Sequence, residues 1–268
     1  IEQNVAFWGL ATDQTKSADP EDALPARQRT MRAIFEHSWQ LLTRDEQGVF
    51  ARLSIFRGGC TRLVAQQVTG GSLRELLSLA HKSLLVLDSA SGRFTVHELL
   101  RQMAAEKLIQ LGQAAAPLHQ LAVETLERLY EQHVTPYYGE LADHAEQAGL
   151  IEKARRYLQM AGDVARDNFQ NNVAIDYYRR ALALTPPTAI EATFSLRMAR
   201  QSIYHLLGQR AAQAQDLHVL ADLSAHLGDA RRPIEVLLAQ ARYWETVSDY
   251  TAAVATAQQA AQLAERAD

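Results

Sequence analysis

A histidine at a strand-to-helix junction is the residue of this chain best placed to bind a ligand. In the segment before His97, Phe94 and Val96 alternate with Thr95, which is the pattern of a half-buried strand. The helix predicted after His97 begins with backbone N–H groups that have no partner inside the helix, and such groups attract anions. The position therefore predicts contact with an anion. The alternative is that the ring only caps or packs the junction.

The other polar residues form no recognisable catalytic or metal site. Glu36, His37 and Ser38 are adjacent on one predicted helix, so their side chains point in different directions and cannot form a triad. No two histidines have the H-x3-H or H-E-x-x-H spacing of a zinc site. No G-x-x-x-x-G-K-[ST] loop is present to hold a nucleotide phosphate. We therefore expect no catalytic residue, no metal ligand and no enzyme activity in this chain.

Composition excludes several classes of protein. The 268 residues, 47% of them apolar, are enough for two domains that each bury a core. Residues 1–112 carry 13 basic against 12 acidic side chains and residues 113–268 carry 14 against 19, so neither half attracts nucleic acid nonspecifically. No apolar run approaches the roughly 20 residues that span a bilayer. We expect a cytoplasmic protein without membrane contact, in which the single cysteine, Cys60, is a buried small apolar residue.

The elements that would position His97 lie in residues 27–112. Several helical patterns occur there, and two of them begin with capping boxes, at Thr43 and Ser72. Two short apolar runs around a glycine-containing turn then predict a β-hairpin that ends just before His97. A few helices followed by a hairpin form the arrangement of a winged-helix domain, with the hairpin as its wing.

Residues 113–268 are rich in Ala, Gln, Leu and Tyr and show no strand pattern. Their helical patterns come in pairs separated by short breaks, which predicts about four helix pairs. Small and aromatic residues recur at intervals of about 38 to 41 residues, and a proline closes the second helix of the first unit, as in lengthened tetratricopeptide (TPR) repeats. The signature positions are Gly162, Ala174, Tyr178, Ala181, Pro186, Gly208, Tyr250, Ala253 and Ala260. The expected fold is mainly α: a winged-helix domain followed by an α-solenoid of TPR-like helix pairs.

Six sequence blocks carry a resemblance to a known family. They are Arg27–Arg32, Ser38–Leu42, Glu46–Phe50, Leu53–Gly59, Lys82–Leu85 and Arg93–Arg101. Together they resemble the winged-helix part of signal-transduction NTPases with numerous domains (STAND), the class of bacterial NB-ARC-type ATPases, apoptotic protease-activating factors and plant resistance proteins. The helical region looks like the TPR sensor that commonly follows this module in bacterial members. The resemblance implies a C-terminal fragment of such an ATPase, with residues 1–26 as the tail of a preceding helical segment plus a linker.

The resemblance also implies a role for His97. In that family the strand-to-helix junction carries a Met-His-Asp motif whose histidine contacts the β-phosphate of ADP and helps hold the closed, inactive state. Here the junction reads Val96-His97-Glu98, which keeps the histidine and departs on both sides. The implied role of His97 is nucleotide sensing in a full-length parent. ADP or ATP is expected only there, because this chain has no phosphate-binding loop.

The implied function is regulation through protein interaction. The repeats would bind a protein or peptide ligand on their concave face, and the winged helix would contact the upstream nucleotide-binding domain of the same protein. Ligand capture would open the protein for homo-oligomerisation. The tyrosines of the repeats could line the groove or the core, and aromatic residues at helical spacing are more often core.

The alternative function is that of a DNA-binding transcriptional regulator with a TPR ligand-sensing domain, because winged helices often read a major groove. The helix that follows Ser72 would offer Arg74, His81 and Lys82 to the DNA, and the wing would offer Arg93. These few cations lie among leucines in a nearly neutral region, which favours a solvated surface and weighs against DNA as a partner.

Overall fold

The computed structural model describes residues 26–229 and 231–267. The predicted tail and linker over residues 1–26 therefore lie, except for the last residue, outside the described part. The boundaries predicted at residues 27, 112 and 113 remain predictions. What the described residues show is a mainly helical chain with one very small sheet.

The N-terminal part contains helices around a three-stranded sheet. The helices are α1 (Ala26–Gln40), α2 (Arg44–Leu53), α3 (Arg62–Thr69), α4 (Leu73–His81) and α5 (Glu98–Gln110), and the strands are β1 (Cys60–Thr61), β2 (Val86–Leu87) and β3 (Arg93–Thr95). The strands are antiparallel in the order β1-β3-β2. The predicted hairpin is present as β2 and β3. Strand β1 was not predicted, because two residues are too few to show an alternating pattern.

A glycine allows β1 to approach β3. Gly59 has φ +71°, which L side chains rarely adopt. A Cβ atom at this position would lie 2.4 Å from the carbonyl oxygen of Phe94. The Gly58-Gly59 pair therefore turns the chain after α2 and lets the following residues pair with β3.

Both predicted capping boxes form, and one of them also connects two helices. Thr43 Oγ1 accepts from the Glu46 amide at 3.2 Å, and Glu46 Oε2 accepts from the Thr43 amide at 2.8 Å. Glu46 also accepts hydrogen bonds from Ser78 and Lys82 at the end of α4. Burial alone would raise the pKa of Glu46, but the hydrogen bonds from Lys82, Ser78 and the Thr43 amide lower it to about 2. This carboxylate fixes α4 against α2.

The remaining helices follow one another as antiparallel neighbours. They are α6 (Ala115–Leu129), α7 (Tyr138–Gln147), α8 (Ile151–Asp167), α9 (Asn171–Ala183), α10 (Ile190–Leu206), α11 (Arg210–Ser224), α12 (Arg231–Thr246) and α13 (Tyr250–Ala267). Two short 3₁₀ turns, Glu131–His133 and Thr135–Tyr137, connect α6 to α7. Each helix packs against the next along the chain. The arrangement is solenoid-like, as the paired helical patterns predicted.

The turns within three of the helix pairs share one backbone geometry. Phe169, Gly208 and Ser248 have φ of 59°, 69° and 63°. In each case the amide of the following residue bonds to the carbonyl five residues earlier, at 2.8 or 2.9 Å. These are Schellman-type helix ends. They recur after 39 and 40 residues, which matches the predicted interval of about 38 to 41 residues.

The first set of signature residues lies where α8 crosses α9. A Cβ atom on Gly162 would lie 2.7 Å from Cε1 of Tyr178, so the ring rests directly on the glycine. Tyr178 is fully buried, and its hydroxyl donates to Asp163 at 2.7 Å. Ala174 and Ala181 are also fully buried. The glycine and the two alanines therefore allow α8 and α9 to approach each other closely.

The other signature residues do not share one environment: some lie in loops or turns and others on α13. Pro186 follows α9 in an exposed loop, and Gly208 occupies the turn after α10. Ala260 is buried and Ala253 is half-buried on α13. Tyr250 begins that helix with 65% of its surface exposed. Only the Gly162 set therefore shows a glycine packed beneath an aromatic ring.

One hydrophobic core extends from the sheet into the helix pairs. It contains Phe94 of β3, Leu126 of α6, Leu158 of α8 and Ile203 of α10. A second, smaller cluster joins α10, α11 and α12 through Phe194, Leu217, Leu220 and Val236. The sheet and the first helix pairs therefore stabilise each other.

Replacing Gly162 by Ala tests the close approach of α8 and α9. The new methyl group would collide with a fully buried ring, so we expect the free energy of unfolding to fall by about 1 to 3 kcal/mol in urea titrations. Gly48→Ala is the matched control, because a Cβ there meets nothing closer than 3.9 Å within α2. That control should gain about 0.4 to 1 kcal/mol. Equal gains in both variants would show that the ring does not occupy this position.

Candidate functional site

His97 caps α5 with its ring. Its Nδ1 accepts a hydrogen bond from the Leu99 amide at 3.3 Å, and the side chain is exposed. A neutral imidazole that accepts at Nδ1 carries its proton on Nε2, and we assign this tautomer from the hydrogen bond. Nε2 has no hydrogen-bond partner among the described residues. The ring therefore fills the capping role and still presents one N–H donor.

The start of α5 is held to the end of α2. Glu98 accepts hydrogen bonds from Arg101 at 2.8 Å and Gln102 at 2.9 Å. Arg101 also donates to the carbonyl of Ser54 at 2.9 Å. The hydrogen bond from Arg101 is the largest of the effects that lower the pKa of Glu98 to about 2. Glu98 therefore orients Arg101, and Arg101 connects the first turn of α5 to the end of α2.

A cavity of about 690 Å³ lies where the N-terminal part meets the helix pairs. We call it the junction cavity. Its lining comes from the loop Ile55–Gly59, from Arg93 at the start of β3, and from α6, α7, α8 and α9. Sequence reasoning missed it, because its residues are far apart in the chain and no motif links them.

Two buried histidines and a phenylalanine form one wall of the junction cavity. Nδ1 of His119 and Nδ1 of His144 lie 2.8 Å apart, joining α6 to α7. The ring of Phe56 meets His144 edge-on, with the ring centroids 5.2 Å apart. Burial, followed by the charge of His119, lowers the pKa of His144 to about 3. Burial, followed by the charge of Arg57, lowers the pKa of His119 to about 4. Both rings are therefore neutral near pH 7.

An arginine connects this cavity to the strand that leads to His97. Arg93 donates to the carbonyl of Gly59 at 2.5 Å and to Glu140 of α7 at 3.1 Å. Burial raises the pKa of Glu140, and the neighbouring Arg93 opposes this shift. Cys60 is buried beside them, and burial together with the charge of Glu140 raises the pKa of its thiol to about 12. The cysteine is thus buried, as predicted from the sequence.

Further residues of α7 and α9 also line the cavity. Arg180 binds both Asp143 and Glu146, and its guanidinium lies 5.6 Å from the centre of the Tyr177 ring. A Cβ on Gly139 would lie 2.4 Å from the Tyr177 hydroxyl. A glycine at this position in α7 therefore makes room for the tyrosine.

The residues considered for DNA contact are only partly available. Lys82 Nζ lies 2.7 Å from Glu46, so its charge is already paired. Arg74 and His81 are exposed on α4 beside Leu73 and Leu77, which are 36% and 38% exposed. The exposed leucines make this surface more apolar than is typical of a surface that contacts DNA phosphates.

Among the described residues no group of three or more His, Cys, Asp or Glu side chains could hold a metal ion. The helices within residues 26–229 and 231–267 include none that is long and apolar enough to cross a membrane.

Comparisons with known proteins give partial matches. No family model matches the chain. Proteins described as HTH-type transcriptional regulators in Mycobacterium bovis and Mycobacterium tuberculosis are 39% identical over 97 residues, which is 33% of this chain. The chain spans 11% of the length of these relatives. A solved STAND protein with a TPR sensor from Pyrococcus horikoshii aligns with 87% of this chain and 46% of its own, at 15% identity and a TM-score of 0.40.

The histidine pair predicts loss of stability in mild acid. Both folded-state pKa values, about 4 and about 3, lie below the ordinary histidine pKa of 6.5, so the unfolded chain binds more protons as the pH falls below that value. Their contribution to stability is complete above about pH 6.5 and is lost as the pH falls towards 4. Between pH 6.5 and 5 we expect the free energy of unfolding to fall by about 1.5 kcal/mol for each histidine.

The control is the double variant His119→Gln and His144→Gln. It removes both titrating rings, so its free energy of unfolding should change much less between pH 6.5 and 5 in the same urea titrations. Parallel profiles for the two proteins would contradict the assignment.

Proposed function

We propose that this chain is the regulatory and protein-interaction part of a STAND-type signal-transduction NTPase. Its TPR-like helix pairs bind a protein or peptide ligand. Its N-terminal part is a winged helix that helps hold the nucleotide-bound inactive state of the full-length protein. The observation that supports this proposal is the junction cavity, because both parts of the chain line it and a ligand there would act on both.

Arg93 connects the junction cavity to the strand that leads to His97. It lines the cavity, binds Glu140 of α7, and begins the strand β3 that ends two residues before His97. A ligand that changes the Arg93–Glu140 contact would therefore shift the strand relative to α7. Since His97 and α5 follow that strand directly, the capping ring would move with it.

The nucleotide belongs to an upstream domain in this proposal. ADP or ATP would be held by the nucleotide-binding domain of the same protein, and the His97 Nε2–H would donate to a phosphate oxygen. Release of that contact would open the protein and allow it to form homo-oligomers. We assign no catalytic role to the described residues, and we place the protein in the cytoplasm.

Nucleotide retention by the full-length protein tests the role of His97. Loss of one hydrogen bond to a charged phosphate costs about 1.5 to 3 kcal/mol, so His97→Ala should weaken ADP binding by roughly ten- to a hundredfold. His81→Ala is the matched control, since His81 is an exposed histidine on α4. His97→Asn retains a side-chain acceptor for the α5 cap and separates loss of the ring from loss of the cap. Unchanged ADP affinity in His97→Ala would remove His97 from the nucleotide site.

The second candidate function is transcriptional regulation through DNA binding. The observation that favours it is the 39% identity to HTH-type regulators over 97 residues. A gel-shift titration with random duplex DNA at low salt distinguishes the two functions. We expect no retardation at micromolar protein, because Lys82 is paired with Glu46. Micromolar binding that weakens steeply with salt would favour the regulator.

A further inference from the structure

The junction cavity has the size of a small-ligand site. Its volume of about 690 Å³ lies within the range of about 300 to 1,000 Å³ that is typical of such sites. A folded domain cannot enter a space of this size, whereas a few residues of extended peptide can.

One side of the cavity carries a positive charge that no described residue neutralises by contact. Arg57 is exposed and makes no hydrogen bond or ion pair among the described residues, although its charge lowers the pKa of His119 and Glu98. The loop around it is fixed, because Phe56 packs on His144 and Gly59 accepts a hydrogen bond from Arg93. A free guanidinium on a fixed loop is suited to bind a carboxylate with two parallel hydrogen bonds.

The side formed by α7 and α9 carries an excess of negative charge. Arg180 is shared between Asp143 and Glu146, which leaves one carboxylate charge unbalanced. Arg93 and Glu140 balance each other. The cavity lining therefore carries one unpaired positive charge, at Arg57, and one excess negative charge, shared by Asp143 and Glu146.

The same lining contains two phenols. Tyr138 and Tyr177 both line the cavity, and neither hydroxyl has a hydrogen-bond partner among the described residues. A phenol can donate to a peptide carbonyl or accept from a peptide N–H. The excess carboxylate charge would repel a simple anion, and Arg57 would repel a simple cation. The lining therefore favours a ligand that carries both charges.

We propose that the junction cavity binds a short peptide with free chain ends, its carboxylate on Arg57 and its ammonium beside Asp143 and Glu146. This proposal rests on the proposed function and states the chemistry of its ligand.

Calorimetry on the 268-residue chain with four forms of trialanine tests the proposal. The forms are the unblocked peptide, the N-acetylated peptide, the C-amidated peptide and the peptide blocked at both ends. The unblocked form should bind at millimolar concentration. Each single block should weaken binding by about tenfold, because each removes one charge-assisted hydrogen bond. The doubly blocked form should not bind measurably.

Two substitutions test which residue binds each end of the peptide ligand. Arg57→Gln should abolish the effect of C-amidation, and Asp143→Asn should reduce the effect of N-acetylation. The matched controls are Arg62→Gln and Asp222→Asn, which alter exposed charges outside the cavity. Arg57→Gln should keep the thermal midpoint of the parent chain, since Arg57 has no contact partner to lose.

Equal binding of all four peptides, no binding of the unblocked peptide at millimolar concentration, or an amidation effect that persists in Arg57→Gln would overturn the proposal. The result is separable from the proposed function. Nucleotide retention by His97 variants of the full-length protein is measured without any peptide, so it can succeed when the calorimetry fails.

Discussion

The contact between Phe56 and His144 is the interaction on which the rest of the structure depends. It joins the loop after α2 to α7, and through the hydrogen bond between His144 and His119 it also reaches α6. Neutral imidazoles can be buried there because each is the other's hydrogen-bond partner, and burial keeps both uncharged near pH 7. A charged ring at either position would separate the N-terminal part from the helix pairs.

This packing explains why polar groups collect beside it. With Phe56 fixed, Gly59 and Arg93 are held next to α7, and Arg93 meets Glu140 at the edge of the same cavity. The strand that begins at Arg93 ends beside His97. The cavity and the histidine are therefore connected by four residues of extended chain, a stiff link compared with a flexible loop. This connection is the physical basis of the regulatory role that we propose.

Local patterns predicted the elements, and long-range packing determined the site. The capping boxes at Thr43 and Ser72, the hairpin and the paired helices each depend on neighbouring residues, so their patterns were visible in the sequence. Gly162 and Tyr178 were found because a repeat fixes their spacing. The junction cavity was missed because its residues come from distant segments that only the packing of Phe56 on His144 brings together. Strand β1 was too short to produce a pattern.

Hydrogen exchange under native conditions, measured across a urea series, tests most directly whether the N-terminal part and the first helix pairs are one unit. The amides of Phe94 in β3 and Leu158 in α8 belong to one hydrophobic core. They should therefore open with the same free energy and the same urea dependence. Phe56→Ala should lower both opening free energies together. Opening of Phe94 at a clearly lower free energy than Leu158 would contradict the account, because the sheet would then unfold independently of the helix pairs.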